Sequence, residues 1–366
     1  MFPLKKSYGD TDFITGMRAV AALAVMLVHS GGAGLRSFGE IGNAFVDLGR
    51  AGVMAFFVIS GFSVAQSYYS SSGYFGYLNK RLWRVAPLYY FWLLVAIVFS
   101  VSAVGWQQHF SVGIDFYNVL MHLSFLSVFD YRVTNTILGV EWSISIEVFW
   151  YFWVPLLLLV SNRKILFFLL VLLSAKINFK SVAIAEKLPL PSDDALLAWN
   201  WSPWPYLYTF CLGIAAYKLR PHLPKTNFIA NFVFLACFAL VVAYLVSPEL
   251  LRRLVRDGFN MIVVVTFFML VFGTQKSTMF RFFLANRFAL FFGVISYGLY
   301  LSHVPIISFL SFNYRELAER VELLFFVVLL IGCLISVLTF YLIERPGQQF
   351  GQWISESPSF KRLWGR

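Results

Sequence analysis

Charged side chains are scarce in this sequence: Asp, Glu, Lys and Arg make up 13% of its 366 residues, about half of the roughly 25% typical of soluble domains. With 59% hydrophobic residues, that shortage excludes a water-soluble globular domain, a disordered chain and a coiled coil. Cysteine is equally sparse. Cys211, Cys237 and Cys333 lie in apolar stretches with no paired spacing and no nearby histidine, so neither a disulfide framework nor a zinc site is implied. Also missing are a G-x-S-x-G nucleophile elbow, a phosphate loop, a dinucleotide fingerprint and any His/Cys/Asp cluster with metal spacing. No metal is expected, and the nucleophile of any group transfer would come from a bound substrate. The formal charge of +11 does not indicate nucleic acid, because the basic residues stand singly or in pairs between apolar runs and read as topology signals.

What the sequence has in quantity is apolar and aromatic residues, with 41 Phe, 18 Tyr and 11 Trp. Runs long enough for membrane spans lie near 13–30, 46–69, 85–105, 139–160, 164–177, 203–218, 228–246, 258–273, 288–311 and 321–343. The reading is an all-α, polytopic transmembrane protein of ten spans forming one domain over residues 1–366. Its N-terminus, MFPLKKSYGDTDF, is followed by no small-residue cleavage pattern, so the first run reads as a retained span. The stretch FYNVLMHLSFLSVF at 116–129 is an eleventh span or a half-helix at the interface, and charge decides between them. With ten spans and both termini cytoplasmic, eighteen of the 29 Lys and Arg residues fall inside, as the positive-inside rule requires. An eleventh span would invert every later segment and expel Arg163, Lys164, Lys218, Arg220 and Lys225.

Ionisable groups within spans each carry an insertion cost of about 2.5–3.5 kcal/mol when charged, and so ask for a reason. They are Arg18 and His29 on the first span, Arg84 at the mouth of the third, Glu141 and Glu147 on the fourth, and His303 on the ninth. Arg18 and His29 are eleven helical steps apart, about 16 Å of rise. His29, Glu147 and His303 fall at similar depth, with arginines below them, which describes a polar cavity open to the cytoplasm. Glu141 beside Trp142 reads as interfacial, and Arg81 with Arg84 equally suits a positive-inside marker. A neutral imidazole can take a proton from a hydroxyl near physiological pH, and a carboxylate nearby would orient it.

Several motifs in order then resemble the membrane-bound acyltransferase-3 family. They are GMRAVAALAVMLVH with Arg18 and His29, GVMAFFVISGF at 52–62, KRLWRVAPLYY with Arg81 and Arg84, EWSISIEVFWYF with Glu147, GVISYGLYLSHVPI with His303, and Glu344-Arg345-Pro346 closing the tenth span. The resemblance implies an O-acetyltransferase that takes acetyl or another acyl group from acetyl-CoA on the cytoplasmic side. The acceptor would be a hydroxyl of a cell-envelope polysaccharide, such as lipopolysaccharide O-antigen, or of a lipid-linked glycan. It implies His29 as catalytic base, Glu147 and His303 as supporting polar groups, and Arg18, Arg81 and Arg84 on the donor side. It also implies the bacterial inner membrane, with membrane lipid around the chain. Family members often carry an extracytoplasmic esterase-like domain; none is expected here, where the sequence closes on SESPSFKRLWGR. The rival reading is a transporter or flippase of a glycan or lipid intermediate, served equally well by a polar midplane cavity. Acceptor identity and oligomeric state, a homo-oligomer included, are left open.

Overall fold

Each of the ten apolar runs carries a helix in the computed structural model, which describes residues 11–246, 258–357 and 360, and no strand occurs among these described residues. The principal helices are α1 (Asp12–His29), α2 (Gly52–Tyr69), α3 (Tyr74–Val98), α4 (Trp142–Ser161), α5 (Lys164–Phe179), α6 (Leu207–Leu219), α7 (Asn227–Val246), α8 (Gly258–Phe272), α9 (Arg287–Val294), α10 (Ser296–Asn313), α11 (Val321–Thr339) and α12 (Arg345–Glu356). Among the described residues, six helical stretches are long and apolar enough to cross a membrane: α1, Leu35–Tyr69, α3, α4, α7 and Val321–Glu356. A seventh is added if α9 and α10, bent by 64° where they meet, make one span. The chain is an all-α polytopic membrane protein.

The difference from ten spans is one of length. Helices α5 and α6 have 16 and 13 residues, whereas a perpendicular crossing of the hydrocarbon core takes about 20, and α8 is described for 15 residues. FYNVLMHLSFLSVF is not a span. It forms the eight-residue helix Phe116–Leu123 and a 3-10 turn at Leu126–Phe129. The expected cytoplasmic termini, with Lys5, Lys6, Lys361, Arg362 and Arg366, lie outside the described residues, as does nearly all of the basic segment ELLRRLVRDG.

The chain divides into two compact units. The first comprises Met1–Phe62, Leu212–His303 and Tyr314–Ser336; the second comprises Ser63–Cys211, Val304–Asn313 and Val337–Arg366. In the first unit α1 packs closely on the α9 segment. Gly16 permits this, since a Cβ there would stand 1.8 Å from the Leu284 carbonyl oxygen, and Gly293 meets the Thr15 carbonyl in the same way, at 2.0 Å. Arg220, buried, donates from Nη1 to the carbonyls of Leu270 (2.9 Å) and Gly273 (2.6 Å). A cation thereby satisfies carbonyls that the C-terminal end of α8 leaves open. Its guanidinium also lies 5.3 Å from the centre of the Phe13 ring.

The second unit is organised around α3. Its first turns run beside α4, with the Tyr77 hydroxyl donating to the Tyr151 carbonyl at 3.3 Å. Helix α12 lies along it too, where Asn79 donates to the Gly351 carbonyl at 2.6 Å and Trp83 meets Phe350 edge to face at 4.6 Å.

Gly16→Ala is expected to force α1 off Leu284 and to lower stability by about 1–3 kcal/mol or more, the usual range for overpacking. The measurement is the melting temperature of the detergent-solubilised protein.

Candidate functional site

Helix α1 delivers His29 at its C-terminal end. The chain leaves the helix immediately afterwards: the Ser30 hydroxyl donates to the Met26 carbonyl at 2.8 Å, and Gly31 follows at φ +84°, a left-handed backbone that glycine adopts freely. His303 comes from α10, whose start is the 64° bend. Ser296 sits on that bend and donates its hydroxyl to the Gly293 carbonyl at 2.8 Å. Thus the serine of GVISYGLYLSHVPI shapes the elbow, and the histidine lies two turns further along.

The two rings meet within the first unit. His29 Nδ1 and His303 Nε2 are 2.9 Å apart, and the rings are stacked with centroids 5.1 Å apart and planes 24° from parallel. His303 is 1% exposed, while His29 is exposed. The partners of His303 fix the protons of both. His303 Nδ1 lies 2.7 Å from the Tyr300 carbonyl and 3.2 Å from the Leu299 carbonyl; carbonyls only accept, so Nδ1 carries the hydrogen. In the neutral ring Nε2 is then the acceptor, and His29 must donate to it from Nδ1. The lone pair of a neutral His29 is left on Nε2, on the exposed ring. That arrangement makes a base aimed away from its support, the requirement for removing a proton from a bound hydroxyl.

The other predicted residues are held in the second unit. Glu147 is half-buried and accepts from the Tyr151 hydroxyl at 2.7 Å. Arg81 is 7% exposed; its guanidinium donates to the Ser63 carbonyl and lies 5.8 Å from the Tyr151 ring centre. Glu147, Tyr151 and Arg81 are therefore one cluster, with Tyr151 between carboxylate and cation. Arg84, three residues after Arg81 on α3, is half-buried, as is Arg18 on α1.

Glu141 is turned inward. It is fully buried, and its carboxylate accepts from the backbone N–H groups of Ile137 (2.7 Å), Leu138 (3.0 Å) and Val140 (2.9 Å). It ties the segment before α4 into a closed loop, which explains an acid next to a tryptophan. His122, fully buried, brings Nε2 to 3.4 Å from the same carboxylate and Nδ1 to 2.8 Å from the Asn118 carbonyl. Reading the sequence for spans passed over His122, and Tyr151 as well. For Tyr151 the available signal was its spacing of four from Glu147, which puts both on one helix face. Among the described residues no group of three His, Cys, Asp or Glu is placed to hold a metal ion.

Comparison with known proteins covers nearly the whole chain. A family model described as "Acyltransferase domain" matches residues 11–345. The "Putative acetyltransferase ORF330" of Acidianus two-tailed virus is 28% identical over 82% of this chain and 84% of its own length. The O-acetyltransferase OatA of Staphylococcus aureus is 21% identical over 92% of this chain. The match spans 57% of OatA, so that protein extends well beyond the shared part. No solved structure matches.

Glu141→Ala leaves three buried N–H groups without their acceptor, each worth about 1–3 kcal/mol when unsatisfied. The variant is expected to fold poorly, seen as loss of the monodisperse peak in detergent gel filtration.

Proposed function

This chain belongs to the acyltransferase-domain family, and from that premise we propose that it is a membrane O-acetyltransferase. It moves an acetyl group from acetyl-CoA to a hydroxyl of a cell-envelope glycan, with the bacterial inner membrane as its setting. The observation that carries this reading is the His29–His303 hydrogen bond of 2.9 Å, which presents Nε2 of His29 as an unprotonated base. Relatives named as acetyltransferases support acetyl as the group transferred.

In the proposed reaction the acceptor hydroxyl attacks the thioester carbonyl carbon while His29 Nε2 takes its proton. The C–S bond breaks as the tetrahedral intermediate collapses, and the leaving sulfur receives the proton back from the imidazolium, giving the ester and free thiol. While His29 is charged, its Nδ1–H remains bonded to His303 Nε2, so the positive ring is stabilised without rearrangement. His303 acts as a positioning residue, fixed by the two carbonyls of its own helix. Glu147, through Tyr151, is a supporting group that sets the charge around Arg81.

Donor recognition is assigned to Arg18, Arg81 and Arg84. Guanidinium groups suit the phosphates of coenzyme A because they bind them in bidentate fashion. Of the KRLWR pair, Arg84 is the more accessible, whereas Arg81 already serves Ser63 and the Tyr151 ring.

Purified protein given acetyl-CoA and a hydroxyl acceptor should release free thiol, detected with a thiol reagent. His29→Ala is expected to lower kcat by about 10²–10⁴-fold, the range for loss of a general base. His303→Ala should lower kcat by roughly tenfold or more at little cost in KM for the donor, as expected when a ring loses its tautomer-fixing partner. An unchanged kcat in the His29 variant would overturn the reading. Arg84→Ala should instead raise KM for acetyl-CoA with kcat largely kept, and an unaltered KM would remove Arg84 from the donor site.

A further inference from the structure

Between the six-residue helix Thr278–Phe283 and the start of α9 the chain folds around a cavity of about 710 Å³. Its walls include Arg281, Phe282, Phe283, Asn286, Arg287 and Phe288. Both arginines are exposed, and neither forms an ion pair with an acidic side chain among the described residues. No acid is near in sequence either: from Gly258 to Arg315 the chain contains no Asp and no Glu. Arg287 occupies the first turn of α9, whose N-terminus is capped by the Asn286 side chain accepting from Ala289 N–H at 2.9 Å. A cation at that end of a helix is disfavoured by the aligned peptide dipoles, and an anion beside it removes the conflict. The phenylalanines are turned outward: Phe288 is 79% exposed and Phe282 68%.

The combination selects one ligand chemistry. Two unneutralised guanidinium groups fit a phosphodiester, which accepts hydrogen bonds in their fork geometry. Exposed phenyl rings beside them fit acyl chains and would be costly against water. With Lys276 close by, the segment is basic, and a basic segment at a membrane surface is attracted to anionic lipid head groups. We propose that the hairpin from Thr278 to Phe288 is a binding site for an anionic phospholipid, its phosphate held between Arg281 and Arg287 and its chains lying on Phe282 and Phe288. The site lies directly before the bend that leads into α10, on the segment that Gly16 and Gly293 pack against α1. Lipid held there braces the base of the helix that carries His303.

The test is native mass spectrometry of the full chain, released from detergent micelles containing palmitoyl-oleoyl phosphatidylglycerol or the corresponding phosphatidylcholine at low salt. Wild type should retain phosphatidylglycerol in preference to phosphatidylcholine. In the double variant Arg281→Gln, Arg287→Gln the preference should fall by about 25-fold, about fivefold for each arginine near a lipid surface, or about 1 kcal/mol each. The double variant Arg281→Lys, Arg287→Lys, which keeps the charge, should retain most of it, and each single Gln variant should lose about half of the effect on a logarithmic scale. A phosphatidylglycerol preference unchanged in the Gln variants overturns the site. So does coenzyme A or glycerol 3-phosphate binding as tightly as the lipid and being lost in the same variants, because the pocket would then belong to a soluble anion. Should the double Gln variant fail to fold, the single variants and the salt dependence decide: the wild-type preference must shrink between about 0.05 and 0.5 M NaCl, and a salt-independent preference contradicts the arginine contacts.

Discussion

A hydrocarbon layer supplies no hydrogen bonds, so every polar group carried into it must find its partner within the protein. The placement of the chemistry in this chain follows from that constraint. His303 satisfies one nitrogen on carbonyls of its own helix and the other on His29, and this second bond determines which nitrogen of His29 is free. Glu147 is met by Tyr151, Arg220 by the carbonyls at the end of α8, and Glu141 by three backbone N–H groups. In each case the partner is supplied by the local fold. Of these four cases only the first leaves an exposed ring nitrogen with a lone pair, on His29.

The His29–His303 bond depends in turn on helix packing far below it. A distance of 2.9 Å between rings 274 residues apart in sequence tolerates little movement of either backbone. Helix α1 is held against the α9 segment by a contact that only glycine allows, at Gly16 and again at Gly293. Gly293 is also the residue whose carbonyl receives the Ser296 hydroxyl at the bend. Two glycines therefore hold the segment from which α10 departs.

Much of this was legible in the sequence, because its strongest signals are those the bilayer imposes. The ten apolar runs all carry helices, and of the three residues read at one depth, His29 and His303 meet, whereas Glu147 is bonded to Tyr151. What was not legible was how the chain behaves where it is not spanning. Helices α5 and α6 are shorter than a perpendicular crossing takes, which hydropathy alone does not reveal. For Glu141 the neighbouring Trp142 suggests an interface, and nothing in that adjacency reveals that the carboxylate turns back onto the N–H groups of Ile137, Leu138 and Val140. Arg81 and Arg84 were equal members of one pair in the sequence, and spacing cannot reveal that Ser63 and Tyr151 already engage the guanidinium of Arg81.

The account turns on His29 as the base that activates a glycan hydroxyl. The most direct measurement is mass spectrometry of cell-envelope glycans from cells expressing the wild-type chain or its His29→Ala form, with membrane levels of the two proteins matched. The account predicts a mass increment of one acetyl group on a glycan from the wild-type cells and none from the variant. An equal increment from both would contradict it.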